Sequence, residues 1–186
     1  MARETPLIRV WLLAFGVVCL ILFPGQSLSH AQIVTEYQVK AAYLYNFAKF
    51  VEWPARDFAT PTAPLQLCVL NDQSFESELN QVVKGKTVTG RPIVVVPVQN
   101  GEQSRSCHLL FISSSQSTQI QHILEVLRDT NVLTVGETKG FVEEGGIITF
   151  VLQDDHVQFH VNHKAATQAG LHISSRLLSV AKLVIE

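Results

Sequence analysis

Thr35-Glu36-Tyr37-Gln38-Val39-Lys40-Ala41-Ala42-Tyr43-Leu44-Tyr45-Asn46-Phe47-Ala48-Lys49-Phe50-Val51-Glu52-Trp53-Pro54 gathers all three tyrosines of the chain, two phenylalanines and one of its two tryptophans. Thr35 followed by Gln38 is a capping box, which satisfies orphan N–H groups at a helix start. Pro54 drives Trp53 out of the α region, so the helix is predicted to stop there. Tyr37, Ala41, Leu44, Ala48 and Val51 recur at the spacing of one helix face. Tyr43, Phe47 and Phe50 form a second apolar face, and the polar residues do not collect on one side. Such a helix is buried on more than one side or meets a partner. A central core helix is the plain reading. A helix that also carries an intermolecular surface, through Tyr43, Phe47, Phe50 and Trp53, is the functional one, and its surplus apolar area makes a homodimer an expectation.

Upstream of this helix, Arg3 and Arg9 precede an apolar run from Val10 to Phe23, which Pro24 and Gly25 break. Ser29-His30-Ala31 then supplies small residues where a signal peptidase reads. The pattern is a secretory signal peptide cleaved after about Ala31. The run is shorter than the ~20 residues a spanning helix needs. Residues 1–31 are therefore expected to leave and residues 32–186 to form one exported domain. Cys19 leaves with the peptide, so Cys68 and Cys107 remain. Two cysteines in an oxidising compartment read as one disulfide, with two buried free thiols as the alternative.

Downstream, apolar runs alternate with helix-spaced segments. Strands are predicted at Leu65–Leu70, Ile93–Val96, Cys107–Ile112 and Val132–Val135. Helices are predicted at Phe75–Val83, with Phe75, Leu79 and Val82 inward, and from Ser117 to Arg128. Thr138–Glu144 reads as a short helix, and Asn100-Gly101 as the start of a loop. A hairpin follows around Asp154-Asp155, its arms Ile147–Leu152 and Val157–Val161. Asn162 and Ser174 cap two closing helices, the last with Leu177, Leu178, Ala181 and Leu183 or Val184 inward. The order implies an α/β layered fold: a largely parallel sheet, an antiparallel hairpin near its end, and helices on both faces.

Composition narrows the function. A formal net charge of -2 with no basic patch argues against a nucleic-acid partner. No phosphate loop, dinucleotide fingerprint, nucleophile elbow or zinc-ligand spacing is present. His156 and His160 share a strand face but stand ~13 Å apart, too far to hold one zinc together. No cofactor is implied. Ser113-Ser114-Ser115 leaves a strand and enters a helix, a corner that binds anions in such folds or simply caps the helix. His172, Arg176 and Arg56 lie beside apolar segments, where they either line a pocket for an anionic or aromatic ligand or are ordinary surface.

Several blocks together resemble the YfiR-like family of small periplasmic proteins. They are Tyr37–Pro54, Gly85–Pro92, Cys107–Ser113, Val132–Gly136, Gly140–Ile148 and Ala169–Leu178, and they span essentially the whole mature chain. The resemblance implies a periplasmic regulator rather than an enzyme. It implies a protein that binds the periplasmic domain of an inner-membrane diguanylate cyclase and holds it inactive, with an outer-membrane lipoprotein able to sequester it. Similar domains are fused to sensor kinases, so the partner class extends to these. The family's core disulfide maps onto Cys68 and Cys107. A second cysteine pair of the family, near the Gly145–Leu152 hairpin, has no counterpart in this chain.

Overall fold

A computed structural model describes residues 35–186. The expected signal peptide and its expected cleavage after about Ala31 lie outside the described residues. Helix α1 (Glu36–Phe50) opens the domain, and its capping box is formed: Gln38 N–H donates to the Thr35 hydroxyl at 3.2 Å, and Thr35 N–H donates to the Gln38 side chain at 3.1 Å. The helix ends at Phe50 rather than at Trp53 because Val51 already turns extended (φ -113°, ψ 139°). Val51–Glu52 becomes strand β1 and pairs antiparallel with β9 (His172–Ile173).

The main sheet has eight strands in the order β10-β8-β7-β6-β5-β2-β4-β3. Strands β2 (Leu65–Leu70), β4 (Arg91–Val98), β5 (Leu109–Ile112), β6 (Leu133–Gly136) and β7 (Ile148–Gln153) run parallel. Strand β3 (Thr87–Val88) is an antiparallel stub on β4, and β8 (His156–Asn162) returns antiparallel to β7. The β7–β8 turn carries positive φ at both Asp154 and Asp155, the geometry a two-residue hairpin needs. Strand β10 (Leu183–Ile185) pairs parallel with β8.

Both faces of the sheet are covered, which is why its central strands read as unbroken apolar runs. Along β2, Leu65, Leu67 and Val69 enter one core with α1 and α2 (Gln73–Val83). Cys68 and Leu70 point the other way, into a second core with Leu110, Ile112, Ile120, Ile123 and Phe141. Cys68 and Cys107 are bonded in this second core, with Cα atoms 5.9 Å apart. The bond ties β2 to the entry of β5, its parallel neighbour.

Some local expectations need correction. Phe75 and Leu79 are buried and Val82 packs half-buried against the core as expected, and Val83, not expected inward, is buried as well. Asn100 caps a one-turn helix, α3 (Gly101–Ser104), instead of opening a loop. The segment predicted as one helix splits into a 3-10 stretch (Ser114–Gln119) and α4 (Ile120–Val126). Thr138–Glu144 forms successive hydrogen-bonded turns; Gly140, at φ +86°, lies outside the helical region. After α5 (His163–Gln168), α6 (Ser175–Val180) stops where Ala181 turns extended, and Leu183–Ile185 leaves as a strand rather than packing inward.

Candidate functional sites at the two edges of the sheet

Helix α1 connects two polar constellations. At 1.5 Å per residue it is about 22 Å long, comparable to the length of a strand in the sheet. Its first turns lie at the carboxyl edge and its exit, Trp53, lies at the amino edge.

At the carboxyl edge the chain leaves β2 toward β4 on one side and later returns to β5 on the other. The crevice outside β2 and β5 is therefore the topological switch point, the usual ligand position in open α/β sheets. Asp72, just after β2, accepts from Phe75 N–H at 2.9 Å and from the Tyr37 hydroxyl at 3.2 Å. Just after β6, Glu137 accepts from Ser114 N–H at 2.8 Å through one oxygen and from Lys40 Nζ at 2.5 Å through the other. Lys40 also meets Glu36 at 2.5 Å. The Lys40 and Glu137 side chains are 8% and 11% exposed. Burial alone would push Glu137 up, but the hydrogen bonds from Lys40 and Ser114 outweigh it and hold the carboxyl below its ordinary range. Burial opposes the charge on Lys40 too, and its two carboxylates hold the ammonium above its ordinary value. Tyr37 is raised by burial and by the Asp72 charge. The Ser113–Ser114 corner thus exists as expected, but its Ser114 donor is filled by a carboxylate of the chain itself. Ser113 is buried and its hydroxyl meets Ser115 at 2.7 Å. A cleft of about 340 Å³ runs from Lys40 and Glu137 to Phe150, Leu152 and Val157.

At the amino edge, Trp53 Nε1 donates to the His108 carbonyl at 2.9 Å. The His108 ring stacks on Phe58 at 4.4 Å, and Arg91 covers Phe58 with its guanidinium carbon 3.7 Å from the ring centroid. Gln66 N–H donates to His108 Nδ1 at 3.1 Å, which places the ring proton on Nε2. Burial, then the Arg91 charge, lowers the His108 pKa against the pull of Asp57, so the ring is neutral at pH 7. His108 Nε2 and Asp57 Oδ2 are buried and without a hydrogen-bond partner. They border a cavity of about 540 Å³ that Trp53, Phe58, Gln66, Arg105 and Cys107 also line.

The residues singled out from sequence divide between these places. Tyr43 is half-buried, its hydroxyl donating to the Val157 carbonyl at 3.3 Å. Phe47 is fully enclosed against Phe150 and Phe159, so it serves the core and presents no surface to a partner. Phe50 is half-buried on the core margin. Trp53 joins the amino-edge cluster. Arg56 is exposed, 4.0 Å from Asp57. His172 stands exposed opposite Glu52 in the β1–β9 pair, and Arg176 is exposed on α6. Arg56, His172 and Arg176 share no hydrogen bond or ion pair among the described residues. Sequence reasoning missed Lys40, Glu137, Asp57, Phe58 and His108. The available signal was the register of Lys40, which stands four and seven residues before Leu44 and Phe47 on one helix face; nothing local marked the others.

The sequence profile of the YfiR/HmsC-like family matches residues 37–182. No curated protein matches the chain. Among solved structures, it is similar to a conserved domain protein from Vibrio cholerae O1 biovar El Tor, at 11% identity and a TM-score of 0.55. That similarity covers 81% of this chain and 60% of the other, and shows a shared fold. The ABC domain of a Streptococcus pneumoniae protein, in complex with L-Trp, aligns at 12% identity over 65% of this chain and 55% of its own, with a TM-score of 0.48. The chain therefore spans about 60% and 55% of the lengths of these two structures.

Proposed function

Because the chain belongs to the YfiR/HmsC-like family, we propose that it is a periplasmic regulatory protein that binds and represses the periplasmic sensor domain of an inner-membrane diguanylate cyclase, lowering cyclic di-GMP and biofilm formation. The observation that carries this reading is the extent of the match, which runs from the first turn of α1 to the residue before β10. The buried Cys68–Cys107 bond suits an oxidising compartment. Among the described residues no helix is long and apolar enough to cross a membrane, which suits a domain released from residues 1–31. The protein acts by binding, not by catalysis, and an outer-membrane lipoprotein relieves the repression by competing for it. Capture of membrane proteins by the purified, exported protein, followed by mass spectrometry, tests the partner. Recovery of a cyclase, together with raised cyclic di-GMP in a deletion strain, is the expected result. Unchanged cyclic di-GMP and no captured cyclase would remove it.

A second reading is a periplasmic small-molecule sensor acting with a histidine kinase. The amino-edge cavity favours it, since two buried polar atoms there have no partner. A thermal-shift screen with amino acids, nucleotides and vitamins tests it, and the absence of any shift would count against it.

A further inference from the structure

The amino-edge cavity demands a particular chemistry from whatever fills it. His108 is 6% exposed, and its Nδ1 accepts from Gln66 N–H, so the cavity meets an Nε2–H that donates and does not accept. The Asp57 carbonyl approaches this ring outside hydrogen-bonding geometry, and Nε2 has no acceptor among the described residues. Asp57 Oδ2, bordering the same cavity, is buried and accepts from no described residue. A buried donor and a buried charged acceptor are both costly to leave unpaired. The occupant must therefore present an acceptor to one and a donor to the other. A metal ion fits poorly, because it needs a lone pair on the nitrogen that here carries the proton. Charge narrows the class further. Asp57 and Asp129 line the cavity against one guanidinium, Arg105, which already donates to the Val126 carbonyl at 2.5 Å. That balance disfavours anions and the carboxylate end of a zwitterion. The aromatic side chains narrow it again. Phe58 has its two faces taken by His108 and Arg91, so no aromatic ligand stacks on it. Trp53 has its N–H committed to the His108 carbonyl and offers the cavity only apolar ring surface.

On the reading of this cavity as a small-molecule site, we propose that it binds a neutral pyranose sugar. One ring hydroxyl donates to Asp57 Oδ2, and another accepts from His108 Nε2–H. A hydroxyl does both without bringing a charge. The C–H face of the pyranose packs on the indole of Trp53, which supplies the apolar contact that the polar wall lacks. The volume of about 540 Å³ lies within the roughly 300–1,000 Å³ of small-molecule sites.

Trp53 is the only tryptophan in residues 32–186 and lines the cavity, so its fluorescence reports occupancy. The exported protein is titrated with the methyl glycosides of glucose, galactose, mannose and N-acetylglucosamine, and with their uronides. The expected result is a saturable change with at least one neutral glycoside, and binding of its uronide at least tenfold weaker. Asp57→Ala lowers the affinity about tenfold, the loss of a hydrogen bond to a charged group. Circular dichroism checks that the variant folds. If it does not, monodeoxy analogues of the bound sugar decide, since one of them must bind about tenfold more weakly to the wild-type protein. No saturation with any of the four neutral glycosides overturns the proposal. So does a uronide that binds as tightly, a folded Asp57→Ala protein with unchanged affinity, or a full set of deoxy analogues that bind like the parent. A thermal shift from an amino acid, nucleotide or vitamin, with none of these sugars binding, overturns the sugar and keeps the small-molecule site; silence from every class removes both.

Discussion

Replacing Lys40 by methionine probes the carboxyl-edge network most sharply. The substitution keeps the length and the helix propensity of the side chain but removes an ammonium 2.5 Å from Glu137. Both side chains are almost fully buried, at 8% and 11% exposure, so solvent screening discounts the interaction little. The variant leaves the Glu137 carboxylate with Ser114 N–H as its remaining donor. An uncompensated buried charge costs about 3–5 kcal/mol. Glu137 limits the loss by taking up a proton, which favours the lower end, about 3 kcal/mol. At 2–4 °C per kcal/mol for a domain of this size, the melting temperature falls roughly 6–12 °C. Removing both charges, in Lys40→Met/Glu137→Gln, recovers all but about 1 kcal/mol. Urea unfolding followed through Trp53 fluorescence and circular dichroism gives both numbers. The pH dependence supplies the sign. Glu137 is held below its ordinary value of 4.5, so its contribution is present above that pH and is lost as pH falls through the folded value. Lys40 is held above 10.5, so its contribution is present below that pH and is lost as pH rises through the folded value. In Lys40→Met the carboxyl moves up instead, and the variant gains stability on acidification from pH 7 relative to wild type. A Lys40→Met protein within 1 kcal/mol of wild type, or a double variant no more stable than the single, would refute the reasoning.

Serine at both Cys68 and Cys107 releases a loop of 39 residues and costs about 4 kcal/mol by the chain-entropy relation; an unchanged unfolding midpoint would contradict it. Gly146→Ala drives a Cβ into the enclosed Phe141 ring, which Gly136 crowds from another side, its own added Cβ 2.6 Å from the ring. Overpacking of this kind costs about 1–3 kcal/mol, and Phe141→Leu in the same protein returns part of it in a thermal melt. His108 is buried with a lowered pKa, so its contribution to stability is present above 6.5 and is lost as pH falls through the folded value. His108→Gln should flatten that part of the stability profile between pH 7 and 5; an unchanged slope would assign it to another group.

The sheet was legible because its strands are buried on both faces and therefore read as apolar blocks, Leu65–Leu70 most clearly. Helix α1 was legible through its capping box and its apolar repeats, and the hairpin through Asp154-Asp155. Local patterns failed where tertiary partners decided the outcome. Leu183 or Val184 continues the helical spacing of Leu177, Leu178 and Ala181, yet β8 offers Leu183–Ile185 a strand to pair with. The Thr138–Glu144 turns answer to Gly140, whose positive φ no periodicity reveals. At the sites, Ser113 and Ser114 were visible from the strand-to-helix corner, whereas Glu137 reaches Ser114 across 23 residues of sequence. His108 and Asp57 come together only because Trp53 and Phe58 fold the intervening loop over the amino edge.

The carboxylate seated at the Ser114 amide has a consequence for recognition. It acts as a tethered competitor: a free phosphate or carboxylate from solution must displace a rival already held at an effective concentration in the millimolar range or above. Exchange at this corner is therefore closed to weak anions, whatever the donors there would attract if Glu137 were gone.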